Sequence, residues 1–133
     1  MAELELAVYN KLISVSALTT LLGDTTTGVW QVLASPTASK PYLVIRTFDE
    51  SPNDVMSTAT TPTEAAVQIS SYSDTFEDAV KVTTQLKAAL NRWAATQSGT
   101  VVQATFYDGF NDRFDPVDEV YQRDHDFRFF YEE

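Results

Sequence analysis

No cysteine occurs among the 133 residues. That excludes a disulfide framework and any thiolate metal site. Glycine is scarce, at four, and no G-x-G-x-x-G run or phosphate loop can be drawn through those present. No serine lies in a G-x-S-x-G elbow. Basic residues are few: 9 lysines and arginines stand against 19 acids, a net charge of −10, which suits a module that does not grip phosphate backbones. There is no basic stripe interleaved with aromatics for single strands or RNA. No apolar run approaches the ~20 residues of a membrane span. The opening MAELELAVYNKL has neither a basic n-region nor an apolar h-region, so the expectation is synthesis in a reducing cytoplasm without export.

What is present is an ordinary globular composition, 44% hydrophobic and 12% aromatic. A chain of this length buries roughly two-thirds of its unfolded surface, and the expectation is one domain over 1–133. The acid is unevenly placed. Asp108 to Glu133 holds 9 acidic residues and 3 arginines, a net of −6. The plain reading is a solvated surface; the sharper one is a face meant for a basic partner or for repelling nucleic acid.

The stretch Thr63 to Trp93 organises the rest. TEAAVQISSYS alternates, with Ala65, Val67, Ile69 and Ser71 on one side, the mark of a half-buried strand. The period then changes: Phe76, Ala79, Val80, Thr83, Leu86, Leu90 and Trp93 recur at three- and four-residue steps, one stripe of an amphipathic helix. Asp74, with Glu77 three residues on, is the expected N-cap, and Arg92 suits the helix C-terminus.

Before this unit, residues 2–14 form a helix with Leu4, Val8 and Leu12 inward, joined by Leu6 and Ile13. Ser16 caps a short second helix that Gly23 ends. Val29 to Leu33 is a short strand, and YLVIRTF (Tyr42 to Phe48) is the strongest strand in the chain. Asp49 to Pro62 is a 14-residue polar connection, longer than a hairpin requires. After the long helix, AATQSGT is a linker and VVQATFY (Val101 to Tyr107) a strand. Asp108 to Pro116 is a second polar connection, running on to Asp118. Glu119 to Tyr131 is the final strand, with Tyr121, Arg123, His125, Phe127, Phe129 and Tyr131 on one face. The sum is an α+β domain: a mostly antiparallel four- to five-stranded sheet with helices packed on one face.

Chemistry finds little purchase. The one histidine, His125, sits between Asp124 and Asp126, but strand neighbours point to opposite faces and neither carboxylate can hold the ring. A cross-strand-paired or solvated histidine is expected, not a general base or a zinc ligand. Asp108, Asn111, Asp112 and Asp115 crowd one segment without the alternating ladder and following glycine of a calcium loop; they read as turn residues. No cofactor and no catalytic group is expected. The candidate partner-binding residues are those of the two long connections: Asp49, Glu50, Asn53, Asp54, Val55 and Met56 in the first, Asp108, Phe110, Asp112, Arg113, Phe114 and Asp115 in the second.

Four stretches carry a resemblance: LAVYNKLISVSALTTLLGD (Leu6 to Asp24), GVWQVLASPTASKPYLVIRT (Gly28 to Thr47), AAVQISSYSDTFEDAVKVTTQLKAAL (Ala65 to Leu90) and VYQRDHDFRFFY (Val120 to Tyr131). In order and spacing they resemble the tail-completion (tail-terminator, or tail-to-head joining) proteins of long-tailed bacteriophages and gene-transfer particles. The resemblance implies a structural virion protein of the tail or neck that catalyses nothing. It implies a self-assembled ring, typically a hexamer, that caps the tail tube, stops its growth and docks to the head-tail connector or stopper protein, while DNA passes through without specific binding. The rivals are a head-side stopper or adaptor of the same neck, an unrelated small protein-binding module, and a metal-dependent enzyme centred on His125.

Overall fold

The computed structural model describes residues 2–22, 29–31, 40–52, 63–97 and 99–132. Among the described residues three helices, α1 (Ala2–Ile13), α2 (Ser16–Thr19) and α3 (Phe76–Leu90), accompany six strands: β1 (Val29–Gln31), β2 (Tyr42–Pro52), β3 (Thr63–Ser73), β4 (Ala95–Gln97), β5 (Thr100–Asp115) and β6 (Val120–Glu132). The strands form one sheet in the order β1-β2-β3-β6-β5-β4. Every pairing is antiparallel except β1 with β2. The expected mostly antiparallel α+β layer is therefore the architecture: four long strands make its body, and a three-residue strand lies at each edge.

The alternation of β3 and β6 is what gives the sheet a dry face. Ala65, Val67, Ile69 and Ser71 are buried on β3, and Phe127, Phe129 and Tyr131 on β6. They are cross-strand neighbours, with Ala65 opposite Phe129 and Val67 opposite Phe127. Leu43 and Ile45 of β2 continue the layer. The helices close it. Leu4, Val8 and Leu12 of α1 and Val82, Leu86 and Leu90 of α3 belong to the same buried cluster.

The helical stripes differ from expectation at their margins. Ala7 is buried on α1, while Leu6 and Ile13 are exposed. On α3, Val82 is buried and Val80 and Phe76 are not. Four-residue steps from Leu86 and Leu90 select position 82, and position 80 lies too far round the helix. The cap is Thr75, whose Oγ1 accepts from the Asp78 amide at 3.1 Å. Asp74 instead pairs with Lys40 at 3.3 Å. The short helix α2 has Val15 at its N-cap position and no side-chain cap, with Ser16 as its first residue; Gly23 lies outside the described residues.

Both long connections shrink. β2 runs on to Pro52, which pairs with Thr63, so residues 49–52 are strand and the connection reduces to 53–62, outside the described residues. The second correction is larger. Asp108 to Asp115 is strand, the distal half of β5, paired with β6 as far as Asp115 opposite Val120. Polar residues misled here because a hairpin that reaches past its helical cover has both faces wet, and its sequence loses the apolar alternation that marks a strand. The register shifts between Tyr107 and Gly109, where Gly109 takes φ 133°, a conformation open to glycine at no steric cost. The expected linker AATQSGT contains β4, which folds back on β5 with Gln97 opposite Thr100.

Candidate functional site

The hairpin of β5 and β6 extends past the N-terminal end of α3. Three phenylalanines, Phe76 at the start of α3 and Phe110 and Phe114 on β5, stand there about half exposed. Phe110 lies opposite His125, Asp112 opposite Arg123 and Phe114 opposite Tyr121, so alternate residues of β5 carry an aromatic, a carboxylate and an aromatic along the helix-bearing face. Phe114 and Tyr121 approach to 4.7 Å between ring centroids, and Phe76 and Tyr121 to 6.4 Å. Between Phe76 and the hairpin lies a cavity of about 210 Å³, lined by Ala79, Asp112, Phe114, Tyr121 and Arg123.

Arg123 holds this corner together. It is 5% exposed. Its Nε and Nη2 donate to Asp112 Oδ1 and Oδ2 at 2.6 and 3.0 Å, a two-pronged ion pair. The guanidinium lies 4.1 Å from the Phe110 ring centroid and 5.5 Å from that of Phe76. Its Nη1 donates to Thr83 Oγ1 at 3.1 Å. The charge is thus carried from the exposed hairpin into the core through one side chain with every prong used.

Thr83 passes the chain to His125. Thr83 Oγ1 is 2.8 Å from His125 Nε2, and His125 Nδ1 is 2.8 Å from the Ile69 carbonyl. A carbonyl only accepts, so Nδ1 carries the proton; the Thr83 hydroxyl, which also lies 2.8 Å from the Ala79 carbonyl, divides its single hydrogen between that oxygen and Nε2. The imidazole is fully buried, and both nitrogens are engaged. Burial chiefly, and then the Arg123 charge, lower its pKa from 6.5 to about 4, against the opposing effect of the Ile69 bond. A neutral imidazole in this role is structural: it joins β3, β6 and α3.

The folded pKa of His125 lies below the unfolded one, so the unfolded chain binds more protons between about pH 6.5 and 4. The contribution of His125 is complete above pH 6.5 and is lost as pH falls through 4, amounting to on the order of 3 kcal/mol. The drop in unfolding free energy between pH 7 and pH 4, measured by urea denaturation, is expected to be smaller by about that amount in His125→Gln. Equal drops in the two proteins would show that His125 is not buried neutral.

The opposite face of the same strands carries a second charged group. Asp124 is buried; its Oδ1 accepts from Ser70 Oγ at 2.7 Å and Gln122 Nε2 at 2.9 Å, and Arg113 Nε lies 3.5 Å from Oδ2. A wider cavity of about 490 Å³ opens beside it, lined by Tyr42, Tyr72, Arg113, Phe114 and Gln122 among others. Asp108 accepts from Arg128 Nε at 3.0 Å. Asp115 Oδ1 accepts from the Val117 and Asp118 amides at the turn. The crowded acids of this segment are therefore divided between the two faces and committed to arginines and a turn. Among the described residues no three histidines or carboxylates are grouped to hold a metal ion.

Of the residues singled out from sequence, the structure brings Phe110, Asp112 and Phe114 together on one face, with Arg113 on the other and Asp115 at the turn. Asp49 and Glu50 are placed by their backbone on β2, opposite Ala66 and Ala65. Asn53, Asp54, Val55 and Met56 lie outside the described residues. Sequence reasoning passed over Phe76, Tyr121 and Arg123 as part of this corner. The available signal was Arg123 itself: a charged residue inside an alternating apolar face needs a partner across the sheet.

The class the fold defines is an α+β layer whose β5–β6 hairpin projects half-exposed aromatic rings beyond the helices. More particularly, the chain belongs to the tail completion protein gp17 family, which it matches over residues 6–132. It is a structural protein of the phage tail. Its fold is similar to that of a chain in the virion of a native gene transfer agent (GTA) particle, at 19% sequence identity and a TM-score of 0.77, covering 99% of this chain and 96% of that one. No curated protein matches it. No helix among the described residues is long and apolar enough to cross a membrane.

Proposed function

We propose that the protein assembles as a ring, a hexamer, on the last ring of the tail tube, ends tube growth and offers the surface to which the head connector or stopper docks. The observation that carries this reading is family membership across residues 6–132. The geometry supports it. A ring subunit needs one surface for each neighbour and others for tube and connector, and this fold supplies a projecting hairpin, two short edge strands and the 53–62 connection. The candidate contact residues remain Asp49, Glu50 and Asn53 to Met56 in the first segment, and Asp108, Phe110 and Asp112 to Asp115 in the second. A subunit of net charge −10 also suits the wall of a conduit through which duplex DNA slides without being held. The reading contains no catalytic step.

The test is the mass of the purified protein with and without its tail-tube protein, by light scattering. A ring-sized species, alone or only on tube ends, is the expected result. A monomer that ignores tubes overturns the assignment; if that monomer binds DNA-filled heads instead, it is a head-side stopper or adaptor.

A further inference from the structure

We propose that neighbouring subunits meet head to tail, the turn of the β5–β6 hairpin of one copy seating on the C-terminal end of α3 in the next. This rests on the ring reading above and names the interface that builds it.

The two surfaces lie at opposite ends of the molecule. Phe76, the first residue of α3, packs beside Tyr121 and Arg123 of the hairpin. At the other end the Arg92 amide donates to the Thr105 carbonyl at 2.8 Å. Along β5, Thr105 and Asp115 are about 30 Å apart. Opposite ends cannot meet within one subunit, so a contact between them is heterologous and propagates into a ring or a filament.

Their charges are complementary. At the turn, Asp115, Asp118 and Glu119 are exposed and form no ion pair with a described residue. They surround Val117, an apolar side chain 88% exposed, with the half-exposed Phe114 behind it. At the far end, Lys11 lies 5.8 Å over the Trp93 ring and Lys87 4.9 Å over the Tyr107 ring, and Arg92 is exposed. None of the three forms an ion pair with a described residue. Elsewhere Lys40, Lys81, Arg113, Arg123 and Arg128 are all matched with carboxylates. In so acidic a chain, positive charge that no described carboxylate pairs, at one end and beside two aromatic rings, fits an apolar knob ringed by acid.

Backbone conformation marks the same two places. Among the described residues the non-glycine positions with positive φ are Arg92, at 64°, and Glu119, at 54°. Glycine or asparagine would hold either turn with less strain. Instead each carries a charged side chain, of opposite sign, one at each end. The dipole of α3 favours positive charge at Arg92, whereas nothing local favours the charge of Glu119, which a partner would use.

Charge exchange tests this. Variant one is Asp118→Lys with Glu119→Lys; variant two is Lys87→Glu with Arg92→Glu. All four sites are exposed, so both variants should retain the circular dichroism and melting temperature of the parent to within a few degrees. Each alone is expected to weaken self-association by about tenfold or more, in solution or on tube ends, as read by sedimentation velocity. An equimolar mixture should recover it, because the reversed turn of one then meets the reversed helix end of the other. Glu119→Gly adds a readout that a structural role would not give: melting temperature equal or higher, with association weaker. Association retained in both variants, or lost in both and not recovered on mixing, overturns this interface and leaves the ring standing. Wild-type protein that self-associates neither alone nor on tubes overturns the ring, and this interface with it.

Discussion

Replacing residues 53–62 with Asn-Gly is expected to leave the sheet intact and to abolish tail completion. Pro52 and Thr63 are cross-strand partners at the ends of β2 and β3, so two residues suffice to join them, and Asn-Gly supplies the positive φ values a tight hairpin turn needs. The register is already fixed by ten paired positions between Tyr42 and Pro52. The shortened protein should therefore melt with the same cooperativity. If the connection contacts tube or neighbour, as proposed, the protein should fail to form rings or to complete tails in an assembly assay. Normal rings and completed tails from the shortened chain would remove this connection from the interface and leave the hairpin as the surface to pursue.

The second large effect is expected at Arg123. Arg123→Ala strips Asp112 of both donors, takes the donor from Thr83, and leaves the rings of Phe76 and Phe110 without the cation between them. Removing one member of a buried pair costs about 3–5 kcal/mol, and the half-exposed Asp112, which can rehydrate, argues for the lower end of that range. Denaturant unfolding should show the loss as a lower midpoint with little change in slope. The sheet core at Phe127 and Phe129 is untouched, so the domain should still fold while the hairpin corner loosens; faster amide exchange confined to β5 beyond Gly109 is the expected signature. Asp112→Asn should cost less, since the guanidinium keeps Thr83 and both rings. If the two substitutions cost the same, the ion pair alone holds the corner and the rings contribute nothing. If Arg123→Ala costs less than about 1 kcal/mol, the corner is not held this way at all.

These two regions also show how differently sequence speaks about interior and surface. The strand at Ala65–Ser71 and the helix from Phe76 to Leu90 were legible because burial enforces periodicity: most residues that turned inward are apolar, and the repeat of two or of three to four survives in the letters. The distal half of β5 was not legible. Its residues pair along their whole length with β6, but backbone hydrogen bonds are made by every amino acid alike, and with solvent on both faces nothing constrains the side chains to alternate. Asp108 to Asp115 therefore reads as a turn and folds as a strand. The same holds for Thr75, where three neighbouring residues can all cap a helix and only the path of the chain chooses among them.

The sequence by itself determined the layer of strands and helices, the absence of thiol chemistry, the acidic character and, through the order and spacing of four stretches, the family. Those are properties of composition and of periodicity, written locally. Only the tertiary structure decided which residues form the exposed corner: it set Phe76 beside Tyr121 across 45 residues of chain, ran Arg123 through Thr83 to the imidazole of His125, and put Lys87 and Arg92 and the acidic turn at opposite ends of β5. Contacts between residues far apart in sequence depend on the register of strand pairing and on where α3 stops, and no local pattern encodes either. The residues that build the core follow from the hydrophobic effect acting position by position; those that meet a partner follow from where the folded chain leaves them.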